Sequence, residues 1–178
     1  METLRTERME LVPITLPMVE AVFARDRARA EALAEAYLPD AWPGPALIER
    51  AFSADVGAIR EDPERRLWGD RLMIVREEGQ RWVVGSVIFH GRPESDGIAE
   101  VGYGVERDSQ GQGLATEATR ASVAWALEQP GCHTVQAVTF AWHVASLRVI
   151  QKLGMTQVGS REHELLGEML IFEIKRPR

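Results

Sequence analysis

The segment Val105 to Thr116, VERDSQGQGLAT, constrains this chain more than any other stretch, because it sets Gly111 and Gly113 between a strand pattern and a helix pattern. Ahead of it, AEVGYGV from Ala99 to Val105 reads as a strand. Behind it, Leu114, Ala118, Ala121 and Trp125 recur at helical spacing until Pro130 and Gly131 stop the run. A strand turning into a helix exposes unpaired backbone N–H groups and the positive end of the helix dipole, which together bind anions and phosphates above all. Gly111 and Gly113 admit unusual backbone angles and close approach, and the small Ala115 keeps the first turn from blocking a bulky pyrophosphate. The same glycines also suit a tight strand-to-helix turn with no ligand. Other phosphate motifs fail on spacing. No Gly-Lys-Ser/Thr follows as a P-loop requires, and GYGVER at Gly102 to Arg107 lacks the third glycine of a dinucleotide fingerprint and precedes the helix junction. Kinase and dehydrogenase readings fall away.

The flanking sequence places this junction in a mixed sheet. Arg5 to Val12 alternates as a strand, and Pro13 and Pro17 punctuate the passage into a helix with Val19, Val22 and Phe23 on one stripe. A second helix carries Ala30, Leu33 and Tyr37 on one side and ends at the loop PDAWPGP, Pro39 to Pro45. A third helical pattern runs from Leu47 to Ile59 through Ile48, Phe52 and Val56. After Pro63 come strands at Leu72 to Val75 and Trp82 to Phe89, joined by the turn Glu77 to Gln80 as an antiparallel hairpin. Beyond the central helix follow a strand at Val135 to Ala141, a short helix at Ala145 to Leu153, and strands at Thr156 to His163 and Leu165 to Ile174. With 178 residues, 45% of them hydrophobic, and no repeat or linker, the expectation is one α/β (α+β) domain spanning residues 1–178, a mixed sheet flanked by helices.

Several function classes are excluded by what the chain lacks. No stretch approaches the roughly 18 to 20 apolar residues of a membrane span, and the charged start METLRTERMEL is unlike a signal peptide, so a cytoplasmic, unprocessed protein is expected. The one cysteine, Cys132, permits neither an internal disulfide nor a thiolate metal site. At the start of a buried strand it reads as a small core hydrophobe, with a nucleophile as the alternative. A net charge of −6 disfavours nucleic acid and mildly favours cationic substrates.

QGQGLA at Gln110 to Ala115 resembles the acyl-CoA signature of the GNAT superfamily, Arg/Gln-x-x-Gly-x-Gly/Ala. AEVGYGV before it, TEATRASVAWAL after it and ASLRVIQKLGM at Ala145 to Met155 fall in the order and spacing of the ribosomal-protein N-terminal (alanine/serine) acetyltransferase branch. The resemblance covers Arg5 to Lys175 and is strongest from Ala99 to Met155. It implies a mostly antiparallel sheet of about six to seven strands, splayed between the strand ending at Val105 and the one starting at Val135, with layers of helices on it. The pantetheine arm of acetyl-CoA would lie in that gap as a pseudo-strand and bond the backbone of Val105. Amides of Gln110, Gly111, Gln112, Gly113, Leu114, Ala115 and Thr116 would wrap the pyrophosphate with no lone arginine or lysine needed, and a backbone N–H of the Val105 strand would polarise the thioester carbonyl. The implied activity is direct attack by a primary amine on acetyl-CoA in a ternary complex, without a metal or a covalent enzyme intermediate.

Departures from the family pattern bear on mechanism. His143 stands where many members carry an asparagine; its imidazole suits a donor to the pantetheine and equally a solvent-facing loop residue. Ile150 stands where many carry a tyrosine as general acid. Ser146, at the start of the short helix, is the substitute that would protonate or solvate the departing sulfur, as similar enzymes suggest, and it also suits a helix cap. Glu100, on the side of its strand that carries Gly102 and Gly104, is the candidate base, its alternative being a solvated strand residue. An α-amine with a pKa of about 7.8 costs about 1 kcal/mol to deprotonate at pH 7, against about 4.6 for a lysine at about 10.4, so a weak base favours the former. Trp82 and Trp125 read as core, whereas Trp42 suits either the acceptor mouth or simple packing. The acceptor expected is a protein or peptide N-terminal α-amine. A small-molecule amine (polyamine, amino acid derivative or antibiotic) is the alternative, and the missing tyrosine also fits a non-catalytic acyl-CoA sensor. A homodimer is compatible with the sequence, although no segment marks an interface.

Overall fold

A computed structural model of the chain describes residues 1–40 and 56–177. The opening strand divides into β1 (Leu4–Arg5) and β2 (Met9–Pro13), which pair antiparallel with Leu4 opposite Leu11. Thr6 makes the break: its backbone N–H donates to the Met9 carbonyl at 3.0 Å and its hydroxyl oxygen accepts the Met9 N–H at 3.2 Å, which closes a turn where alternation alone suggests continuity. Helix α1 (Leu16–Phe23) starts with Pro17 in its first turn, and α2 (Arg27–Ala34) is capped by Asp26, whose carboxylate accepts the Arg29 N–H at 3.0 Å.

The expected stripes of these helices are corrected in part. Met18, Val19, Ala21 and Val22 are buried on α1, but Phe23 is exposed at the helix end. On α2 only Ala30 and Ala34 are buried, and Leu33 faces outward. Tyr37 lies beyond the left-handed Glu35 that ends α2, so it leaves the helix stripe and packs its ring 5.1 Å from Trp82. Of the third helical pattern, α3 (Val56–Glu61) is seen and is followed by α4 (Pro63–Arg66). Trp42, Ile48 and Phe52 lie outside the described residues.

Strands β3 (Arg71–Glu77) and β4 (Gln80–Phe89) form the expected hairpin. Glu78 and Gly79 both take positive φ, 49° and 80°, the primed turn that matches strand twist. Strand β5 (Ile98–Val105) leads through the glycine loop to α5 (Leu114–Glu128). Then come β6 (Thr134–Phe140), α6 (Val144–Leu153), β7 (Thr156–His163) and β8 (Gly167–Lys175). The sheet has eight strands in the order β1-β2-β3-β4-β5-β6-β8-β7, slightly more than the six to seven expected because the first strand divides. Every neighbouring pair is antiparallel except β5 and β6.

Apolar side chains cover both faces of strands β2 to β4. Leu72, Ile74 and Val83 pack under α1 and α2, while Met73, Val75, Val101 and Val105 pack under α5 together with Ile150 and Leu153 of α6. Trp125 and Trp82 are half-buried and pack against the α5 core, and Cys132 is buried there, burial pushing its thiol above the ordinary range. Among the described residues no helix is long and apolar enough to cross a membrane.

Candidate active site

Two strands that part company define the site. β5 pairs with β6 only at Ile98, Ala99 and Glu100, whose partners are Thr134, Val135 and Gln136. Past Glu100, β5 stays bonded to β4, and β6 stays bonded to β8 as far as Phe140, so the expected gap opens between them. The Glu100 carbonyl accepts the His90 N–H at 3.0 Å, and the Glu106 N–H donates to the Val84 carbonyl at 2.8 Å, both on the β4 side. Strand alternation therefore aims the backbone groups of Tyr103 and Val105 into the gap. An extended ligand arm laid there would find donors and acceptors at strand spacing. The Val105 carbonyl already accepts the Gln110 side chain, Nε2 to O at 3.0 Å, so the gap-facing carbonyl at its wide end is shared.

A bulge keeps β5 close to β4 at this point. The β3–β4 register passes from Met73–Gly85 to Ile74–Val83 and skips Val84, which frees the Val84 carbonyl for Glu106. A side chain at Gly85 would begin 2.3 Å from the Gly104 carbonyl oxygen, so only glycine fits.

The wide end of the gap meets the glycine loop. Gly111 and Gly113 take φ of 78° and 81°, as the cradle requires, and Gly113 is the N-cap of α5. The first bond of the helix runs from the Glu117 N–H to the Gly113 carbonyl at 3.1 Å, leaving the N–H groups of Leu114, Ala115 and Thr116 outside the ladder. No hydrogen bond among the described residues uses the N–H of Gly111, Gln112 or Gly113 either. Six consecutive donors around two left-handed glycines fit a pyrophosphate.

A cation does stand at this loop, which sequence reading did not foresee. Arg8, in the turn before β2, donates from Nη1 to the Gln112 carbonyl at 2.8 Å and holds the Glu117 carboxylate through Nε at 2.7 Å. Burial raises the Glu117 carboxyl, but hydrogen bonds from Thr6 and Arg8 and the Arg8 charge outweigh it and hold the group below its usual range. Beside it a cleft of about 540 Å³ is bordered by Arg5, Thr6, Thr116, Arg120 and Lys152.

The candidate acid and base fall on opposite faces of the sheet. Glu100 shares its face with Gly102 and Gly104, and its carboxylate lies 3.4 Å from His90 Nδ1, a neighbour that sequence reading missed. Tyr103 points to the other face, packed against the α5 core, and its hydroxyl reaches α6: Oη is 3.0 Å from Ser146 Oγ and 3.2 Å from the Ser146 carbonyl. Burial pushes the phenol above its ordinary range, and the Ser146 hydrogen bond opposes this. Ser146 is not the cap of α6. His143 is, its Nδ1 accepting the Ser146 N–H at 3.1 Å, which leaves the ring proton on Nε2. The His143 ring stacks on Trp142 with centroids 5.7 Å apart. Ile150, one turn beyond Ser146, is buried in the core.

An open sheet splayed at its one parallel pair, with a loop of unused N–H donors at the wide end, defines an acyl-CoA transferase architecture. Residues 8–156 match the family described as acetyltransferase (GNAT) domain, and the chain belongs to that family. Over 154 residues it is 23% identical to the uncharacterized N-acetyltransferase YjdG of Bacillus subtilis (strain 168), covering 86% of this chain and 89% of that protein. A GNAT-family acetyltransferase from Bacillus anthracis shares the fold at a TM-score of 0.63 and 16% identity, over 98% of this chain and 99% of that one. Ribosomal-protein-S5-alanine acetyltransferase from Vibrio fischeri does so at 0.65 and 15%, over 99% and 97%. The chain is an N-acetyltransferase that uses acetyl-CoA as donor and an amine as acceptor.

Proposed function

We propose that this enzyme acetylates the N-terminal α-amine of a protein or peptide by direct attack in a ternary complex. The observation that carries the reading is that Glu100, the last β5 residue paired with β6, and Ser146 lie on opposite faces of the sheet beside the gap, which suits loss of a proton from the amine on one side and contact with the sulfur on the other. The S5-alanine acetyltransferase, whose fold this chain shares, acts on a protein alanine by its name, in line with an N-terminal acceptor.

When bound, acetyl-CoA supplies an activated acetyl thioester. The loop from Gln110 to Thr116 holds its phosphates, and the open backbone of Val105 and Tyr103 aligns the arm and offers an N–H to the thioester oxygen. The α-amine attacks in its neutral form, and Glu100 accepts the proton that it sheds as the C–N bond forms, directly or through water, with His90 beside it. A carboxylate suffices for an α-amine, which is partly neutral near pH 7, and would serve lysine poorly. His143 offers its Nε2 proton at the mouth of the gap, and Ser146 gives a hydroxyl to the sulfur.

Thiol release with two peptides tests the reading, one with a free α-amine and no lysine, the other N-blocked and carrying lysine. Turnover near pH 7 is expected with the first, and Glu100→Gln should lower kcat by about 10²-fold while leaving acetyl-CoA binding intact. Turnover of the blocked lysine peptide alone, or full activity in Glu100→Gln, would overturn it.

A further inference from the structure

Ser146 can help a departing sulfur only if its hydroxyl proton points toward the gap, and Tyr103 bears on that direction. It lies three residues past Glu100, where β5 has parted from β6, and its side chain crosses to the helix that follows β6. This contact joins the two arms of the splayed pair on the face opposite Glu100.

Two proton arrangements satisfy the distances. In one, Ser146 donates to the phenol oxygen and Tyr103 donates to the Ser146 carbonyl, so the serine proton is spent inside the pair. In the other, Tyr103 donates to Ser146 Oγ and the serine proton is free. The second is favoured by what each acceptor already holds. The Ser146 carbonyl is one of the acceptors used by the helix itself, taking an N–H one turn on, whereas Oγ has no other donor.

We infer that Tyr103 is a positioning residue for the leaving group, its phenol donating to Ser146 Oγ so that the serine hydroxyl proton is directed at the coenzyme A sulfur. The inference rests on the reading of Ser146 given above. As the C–S bond breaks, its electron pair goes to sulfur. The amine lone pair forms the C–N bond, and the amine proton passes to Glu100. Ser146 solvates the sulfur and Tyr103 keeps its proton throughout, which its buried position favours. A growing negative charge on sulfur strengthens both bonds of the chain Tyr103–Ser146–sulfur together. The phenol that related enzymes carry at the position of Ile150 is thus supplied to the same helix, one turn earlier, by a different strand.

Coenzyme A itself is the probe, because its free thiol is the product group that Ser146 would hold. The thiol of the bound molecule is titrated by thiolate absorbance in the wild type, Tyr103→Phe, Ser146→Ala and the double variant, with calorimetric affinities for acetyl-CoA measured alongside. The expected result is a thiol that ionises at lower pH when bound than when free, a depression lost to a similar degree in each single variant and no further in the double, since the two residues act as one unit. Acetyl-CoA affinity should stay within about twofold, and kcat of Tyr103→Phe should fall by about tenfold at unchanged KM, the scale of one hydrogen bond. A depression kept in Tyr103→Phe but lost in Ser146→Ala would overturn the role of Tyr103 while leaving that of Ser146. A depression kept in both variants, or absent from the wild type, would overturn both.

Discussion

Arg8 holds Glu117 in two ways at once, its backbone N–H donating to one carboxylate oxygen at 2.9 Å and its guanidinium Nε to the other at 2.7 Å. The pair ties the turn before β2 to the first turn of α5, and a third bond from Arg8 fixes the peptide between the two loop glycines. Both side chains are partly exposed, so screening keeps the contribution near 1 kcal/mol. Arg8→Ala should weaken acetyl-CoA binding by about fivefold in calorimetry, with the fold retained. The Glu117 carboxyl is held below its ordinary range, so its stabilising effect is complete above the unfolded value of about 4.3 and fades as pH falls through the lowered folded value. The stability difference between wild type and Glu117→Gln should therefore be full at pH 7 and shrink below about pH 4 in urea titrations.

The cap of α6 is a histidine where asparagine is the commoner family residue. Nδ1 of His143 takes the N–H of Ser146, so His143→Ala should cost about 1 kcal/mol of stability in chemical denaturation, and His143→Asn should restore most of it. A His143→Ala protein as stable as the wild type would remove the capping role.

Asp70 is almost wholly buried and its carboxylate accepts the Phe89 N–H at 2.6 Å. Burial pushes its pKa well above the ordinary range, the Phe89 bond and the Arg71 charge opposing this only in part. The folded state then binds the Asp70 proton more tightly than the unfolded state does. Its contribution is largest below the unfolded value of about 3.9 and declines as pH rises toward the raised folded value. Asp70→Asn keeps an acceptor for Phe89 without the titration, so this decline should be missing from its stability profile. Asp70→Ala strands the Phe89 N–H and should cost about 2 kcal/mol in denaturant titrations throughout. An Asn variant with the wild-type slope would contradict the assignment.

The left-handed backbone at Gly111 and Gly113 was legible in the sequence because it answers a local demand: a strand-to-helix junction with donors left over needs such angles, and that need is written in adjacent residues. The splay between β5 and β6 came from family resemblance and is found. What stayed hidden depends on distance along the chain. Tyr103 and Ser146 are 43 residues apart, and only the packing of α6 beside β5 joins them. Arg8 and Glu117 are 109 apart. His90 meets Glu100 through antiparallel register, a signal that the hairpin pattern carried but that strand reading alone left unused. The turn at Thr6 has no glycine or proline to announce it, and the exposure of Phe23 and Tyr37 follows from where their helices end, which periodicity does not settle.

The most direct test of the site is a calorimetric titration with acetyl-CoA of the wild type and of Gly113→Trp, whose indole would fill the cradle, with circular dichroism confirming that the variant is folded. Micromolar binding at one site in the wild type, lost in the folded variant, is the expected result. No binding by the wild type, or equal binding by both, would contradict the placement of the phosphates on the loop from Gln110 to Thr116.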